Sequence, residues 1–281
     1  MKGKTLLRVI FPGLFVVFLA GRVAGDTGHF EFNAHYGKWS LNLLKSVIED
    51  SLSDVLENEI KDKFLEDIQN DHPTFRDKNY SQNIDFDSSG NNYGFEIRWY
   101  PGGEGGSFSL GFAIEKTSMK ISFPHFSASM EVEDTSSPSF LQAAFQAAGS
   151  SAFQIKPTSF HLSFRWDILP TSIVHPYITL GVGAATGTAL DEATLTYSYS
   201  GSLTIPGEDP ESYSEPEVTK TIKQLREEQE AKGEEFALPN FFPFVQLNLG
   251  LKGMITKNIH ILIDAGILDG FLLRGGLSLR F

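Results

Sequence analysis

The chain contains no cysteine, so neither a disulfide staple nor a lipid-modified N-terminal cysteine is available to it. After the N-terminal segment it also lacks any stretch approaching 18 uninterrupted apolar residues, which argues against a helical membrane protein. Positive charge is scarce: 23 Lys and Arg stand against 35 Asp and Glu. An acid excess of that size disfavours nucleic acid as a partner. It does not disfavour insertion of strands into a membrane, because that rests on an apolar outer band and not on cationic attraction. What the chain has in quantity is aromatic side chains, 24 Phe, 8 Tyr and 3 Trp, enough to build interfacial girdles.

Residues Met1 to Gly25 carry Lys2, Lys4 and Arg8, then an apolar stretch from Val9 to Ala20, then a small-residue Val23-Ala24-Gly25 site before Asp26. That layout predicts a secretory signal peptide over 1–25, with the mature domain at 26–281. The apolar stretch contains Pro12 and Gly13 and is shorter than the roughly 20 residues of a spanning helix. Cleavage removes four basic and no acidic residues, leaving 19 against 35 and a formal charge of −16.

Eight segments alternate apolar with polar or small residues, the pattern of strands with one face in each environment. They are His29 to Trp39, Tyr93 to Tyr100, Ser107 to Glu115, Pro157 to Trp166, Val174 to Ala184, Phe244 to Met254, Ile259 to Ile267 and Phe271 to Phe281. In the last, Phe281, Leu279, Leu277, Gly275, Leu273 and Phe271 share one face, while Arg280, Ser278, Gly276, Arg274 and Leu272 share the other. Each segment is close to the 9–11 residues that a tilted membrane strand needs.

The connections run long, short, long, short, long, short, short: Ser40 to Asn92, Pro101 to Gly106, Lys116 to Lys156, Asp167 to Ile173, Ala185 to Pro243, Ile255 to Asn258 and Leu268 to Gly270. Long outer loops and short turns at the opposite end are the asymmetry of a bacterial barrel, whereas a soluble sandwich has no reason to confine its long loops to one end. An even strand count returns both termini to the periplasm. The predicted fold is therefore all-β: an eight-stranded antiparallel transmembrane β-barrel in the outer membrane, with long outer loops.

Within the first loop, Leu44, Val47, Ile48, Leu52, Val55, Leu56, Ile60, Phe64 and Ile68 recur at helical spacing, which predicts an amphipathic helical insertion over 41–70. It can cap the barrel mouth, lie on the leaflet or enter the lumen, and its acidic polar face favours the cap. In the third loop, 185–243, the Pro/Glu/Ser-rich Ile205 to Glu217 reads as mobile and Val218 to Lys232 as helical.

Candidate chemistry sits on the inward faces, which collect Glu31, His35, Glu96, Arg98, Glu115, His161, Arg165, Asp264, Arg274 and Arg280. Charges inside so narrow a barrel need partners of opposite sign. These residues either interlock as a charge network that shuts the lumen or line a narrow hydrated path. Asp85 to Glu96 has the spacing of a calcium loop, with Asp85 and Asp87 as the principal ligands, but a strand and not a helix follows it. No other cofactor is indicated. His161 with Ser163, and His125 with Ser127, lack any nucleophile motif, so no enzyme is expected and surface lipid modification is the weakest alternative.

The signal segment, the eight alternating strands, the Pro176-Tyr177 to Gly183 run and the terminal Phe281 together resemble the small outer-membrane β-barrel superfamily of the OmpA, OmpX and OmpW type. That resemblance covers roughly a third of the chain. It implies Phe281 as an assembly signal read by the barrel assembly machinery through the C-terminal strand. It further implies outer-membrane lipids and lipopolysaccharide as surroundings, and leaves the activity open among anchors, adhesins, channels and enzymes. The expected function is a closed structural or binding scaffold whose loops meet an extracellular ligand; a narrow pore for small solutes is the alternative.

Overall fold

The computed structural model describes residues 28–281 apart from 58–60, 62–64, 67–68, 71–72, 137–141, 187, 206, 208, 232–240 and 268–269. The expected signal segment lies outside the described residues. Eleven strands form one continuous antiparallel sheet: β1 (His29–Ser40), β2 (Phe75–Tyr100), β3 (Phe108–Asp134), β4 (Gln142–Ile155), β5 (Thr158–Asp167), β6 (Val174–Thr186), β7 (Thr194–Thr204), β8 (Glu211–Thr221), β9 (Phe241–Met254), β10 (Ile259–Ile267) and β11 (Phe271–Arg280). Among the described residues three α-helices accompany them, α1 (Lys45–Leu56), α2 (Thr188–Asp191) and α3 (Ile222–Ala231).

Eight of the strands close into a ring in the order β1-β2-β3-β5-β6-β9-β10-β11, and β11 pairs back onto β1 from Glu31↔Arg280 to Ser40↔Phe271. Closure leaves no unpaired sheet edge in the ring, which is the condition for a sheet to cross lipid. Every ring strand is one of the eight expected from the alternation. On the outward face lie Phe95 at 71 % exposure, Leu249 at 59 %, Leu273 at 58 % and Ile263 at 52 %, and no charged side chain interrupts the band among the described residues. Tyr36, Tyr93, Trp99, Trp166 and Phe281 mark its two borders. Phe281 itself completes the ring, exchanging two backbone hydrogen bonds with Phe30 at 3.0 and 2.9 Å and setting its ring edge-on to Phe32.

The long connections differ from expectation. Strand β2 begins at Phe75 and β3 runs on to Asp134, so both pass out of the barrel without a break. Above it they pair with each other, and β4, β7 and β8 add on in turn, making a five-stranded sheet at the loop-bearing end. The second and third loops are thus largely strand. Glu211–Thr221, read from composition as mobile and then helical, pairs with β7, and the helix starts only at Ile222. Register shifts at Asp77/Asn79 and Asp85/Asp87 in β2, and at Phe123/Phe126 in β3, break the two-residue period and hide these extensions from a pattern search.

The first-loop helix is present as α1 over Lys45–Leu56, while 58–60, 62–64 and 67–68 of the expected 41–70 insertion lie outside the described residues. Beyond Ser40, where β1 stops, α1 lies along the edge of β2 that β1 has vacated. The Phe86 amide donates to Glu49 Oε1 at 2.8 Å, Gln82 Nε2 donates to the Ser53 carbonyl at 2.6 Å, and Ser88 N donates to Asn42 Oδ1 at 2.7 Å. Side chains therefore satisfy an edge that would otherwise offer unpaired donors.

Candidate functional site

Ten ring residues were expected to face inward, and the structure places all ten in the lumen, stacked in three layers. At the end bearing the short turns, Glu31 is fully buried and accepts from Lys252 Nζ, from Arg280 Nε at 3.0 Å and from Ser278 Oγ at 3.2 Å. Both cations lie over the Tyr100 ring, at 5.1 and 5.8 Å, and His29 stacks on that ring at 4.5 Å.

In the middle layer Glu96 accepts from Arg98 Nη2 at 2.5 Å, Ser163 Oγ at 2.8 Å and Asn33 Nδ2 at 2.9 Å, with Arg165 Nη2 at 3.5 Å. Arg165 packs its guanidinium over the Tyr177 ring at 4.2 Å. The Tyr177 hydroxyl donates to Asp264 at 2.7 Å and so links this layer to the next. There Arg274 bridges two carboxylates, Asp264 at 2.8 Å and Glu115 at 2.9 Å, while His35 and His161 approach Glu115 at 3.4 and 3.6 Å. Trp39 and Leu272, both buried, close the lumen above Glu115.

Five carboxylates, Glu31, Glu96, Glu115, Asp167 and Asp264, face five cations, Arg98, Arg165, Lys252, Arg274 and Arg280, so the lumen is formally neutral. Between these side chains lie two cavities of about 20 and about 10 Å³, each enough for isolated waters but not for a file of them. Sequence reasoning left Lys252 and Asp167 out of the lumen, and put Tyr100 and Tyr177 on the inward faces without a part in the charge network. Lys252 was legible, since Gln246, Asn248, Gly250 and Lys252 alternate with the outward leucines of β9.

The proposed calcium loop is not a loop: Asp85 to Glu96 is uninterrupted strand within β2. Asp85 takes a hydrogen bond from Lys45 Nζ at 2.6 Å and Asp87 one from Asn42 Nδ2 at 2.9 Å. Among the described residues no three potential ligands converge as a metal site would require. The two histidine–serine pairs are not paired either. His161 Nε2 meets Ser159 Oγ at 2.8 Å, whereas the Ser163 hydroxyl is held between Glu96 and Arg98. His125 and Ser127 stand exposed on β3 above the barrel.

The five-stranded sheet has two unlike faces. One carries Phe75, Met130, Val132 and Ala143, with Tyr80, Phe145 and Leu203 packed against them. Across the other runs a row in register, Ser81, Ser129, Gln146, Ser202 and Ser212. Beside this row lies an open trough of about 440 Å³ lined by serines, alanines and Gln146, with no charged side chain.

A closed ring of eight antiparallel strands, with an apolar outward face uncharged among the described residues and charges gathered inside, defines a transmembrane β-barrel. No protein-family model and no curated protein matches the chain. Among solved structures it is similar to the N-terminal barrel domain of Pseudomonas aeruginosa OprF, at 10 % identity over 92 % of this chain and 100 % of that one, with a TM-score of 0.33. It is also similar to Ail of Yersinia pestis, solved in complex with the heparin analogue sucrose octasulfate, at 11 % identity over 91 % of this chain and 100 % of that one, TM-score 0.31. Neisserial surface protein A follows at 10 % identity over 91 % and 98 %, TM-score 0.28. The architecture stands on the strand register itself, not on these likenesses.

Proposed function

We propose that the protein is a closed outer-membrane scaffold that holds a β-sheet clear of the membrane for contact with an external ligand. The observation that carries this is the lumen: each of its three layers has paired charged side chains reaching into the interior, and the cavities among them are water-sized. A pore needs a continuous wet path, and the Glu31, Glu96 and Glu115 clusters each cross it. On this reading the sheet's polar trough, uncharged in an acid-rich chain, is the surface offered to the ligand. On the same reading β11, which closes the ring onto β1, is the strand offered to the barrel assembly machinery, and the end bearing the short turns faces the periplasm.

The test is single-channel recording of refolded protein in a planar bilayer, alongside a deletion of Leu41 to Asp71. Silence from both is expected, because α1 runs along β2 and the charged layers that fill the lumen belong to the ring strands. Steady conductance from the intact chain would establish the pore instead, and current only after the deletion would make the first loop a gate.

A further inference from the structure

The described cations divide by the company they keep. Those inside the barrel, and most of those on the outer segments, are ion-paired. Lys38, Lys116, Lys120 and Lys156 are exposed and have no carboxylate partner among the described residues. Register gathers these four. Lys116 stands beside Tyr93 on the outward face of β3, Lys38 beside Asn91, and Lys120 beside Ser89, while Lys156 immediately precedes Pro157, whose carbonyl accepts from Thr117 N. With strands about 4.8 Å apart and alternate residues about 6.8 Å apart, their stems rise from a patch about 15 Å across.

The patch begins where the apolar band stops. Tyr36 and Tyr93 are opposite one another at the border, and the next outward pair is Lys38 and Asn91. Asn91 Oδ1 accepts from both the Tyr36 hydroxyl at 2.8 Å and Lys38 Nζ at 2.7 Å, which holds that lysine upright against the tyrosine. At the same end, the outward faces of β6, β9, β10 and β11 present no lysine or arginine among the described residues. Around this rim, lysines without a carboxylate partner among the described residues are therefore gathered in the sector of β1, β2, β3 and the start of β5, while Lys257 lies in the turn at the opposite end of the barrel.

We infer that this sector seats the phosphate-bearing headgroup of an anionic lipid in the leaflet at the sheet-bearing end. The inference rests on the membrane-spanning reading of the barrel and not on the scaffold role. The band below the patch touches acyl chains, so phosphates at the depth of these ammonium groups are those of lipids. Four cations in one patch fit a headgroup carrying more than one phosphate.

The experiment is thermal unfolding of the full mature chain in phosphatidylcholine vesicles, with and without a bis-phosphorylated lipid A. The wild type should melt higher by about 5 °C or more when the phosphorylated lipid is present, and salt at about 0.5 M should erase the rise. The variant K38Q/K116Q/K120Q/K156Q should melt like wild type in neutral vesicles and lose the rise, while the four-arginine counterpart keeps it. An equal rise in the glutamine variant, no rise in wild type, or the same rise from inorganic phosphate in neutral vesicles would each overturn the inference. Failure of wild type to insert into neutral vesicles would overturn the membrane reading beneath it.

Discussion

Glu31 shows how much the lumen asks of single side chains, because one buried carboxylate serves both Lys252 and Arg280. Glu31→Gln keeps the shape and strands two cations away from water, so it should destabilise the barrel by about 3–5 kcal/mol. Denaturant unfolding in detergent micelles measures this, and adding Lys252→Met should recover part of the loss because one of the stranded charges is gone. Had the lysine been a bystander, the double variant would be no better than the single. At this scale the sequence was largely readable: strict alternation by itself puts Glu31, Glu96, Glu115, Asp264 and Arg274 on inward faces. Their pairing was not readable, because partners such as Glu115 and Arg274 come from strands far apart in the chain and meet only when the ring closes. The Tyr177 ring is a similar case. It fills the space over Gly250, where any Cβ would strike it, and thereby reaches Asp264. A glycine in β9 looks merely permissive until its neighbour in β6 is known.

Among the elements, the ring strands announce themselves and the outer sheet does not. Ring strands have lipid on one side and a polar lumen on the other, so their two faces differ in every residue. In the outer sheet both faces meet protein or water, bulges shift the phase, and β4 is built chiefly from Ala, Ser, Gln and Gly. Strand β7 was nonetheless legible, since Leu195, Tyr197, Tyr199 and Leu203 alternate with Thr and Ser. The helix α1 depends on charge for its seat. The hydrogen bond between Lys45 and Asp85 lowers the carboxyl's pKa and raises the ammonium's. A carboxyl depressed on folding contributes stability above its unfolded pKa and loses it as pH falls through the folded value. The lysine's share is complete below its own unfolded pKa and is lost only in strong alkali. The contact is therefore intact at neutrality, and acidification through and below the ordinary carboxylate range should loosen α1. Amide exchange in Lys45–Leu56 should accelerate there in the wild type, and Asp85→Asn should show the faster exchange already at neutral pH.

The molecule as a whole inverts a soluble protein, with its charges inside and its apolar band outside. Ile263 lies at the middle of β10 on that band. Ile263→Lys should cost about 2–4 kcal/mol in a bilayer, whereas the same change at the band's border should cost little. Unfolding titrations in vesicles compare the two, and equal penalties would mean that the outward face does not meet lipid at mid-depth. Strands β2 and β3, 26 and 27 residues long, run through this wall and out of it without interruption. At about 3.3 Å per residue each measures about 85 Å, more than half of it beyond the barrel. Such a pair acts as a mast and not a tether. On the proposed scaffold reading, a ligand pulling on the sheet would load the barrel wall along two covalent chains, with the paired irregularities at Asp85/Asp87 and Phe123/Phe126 as the place where that mast can bend.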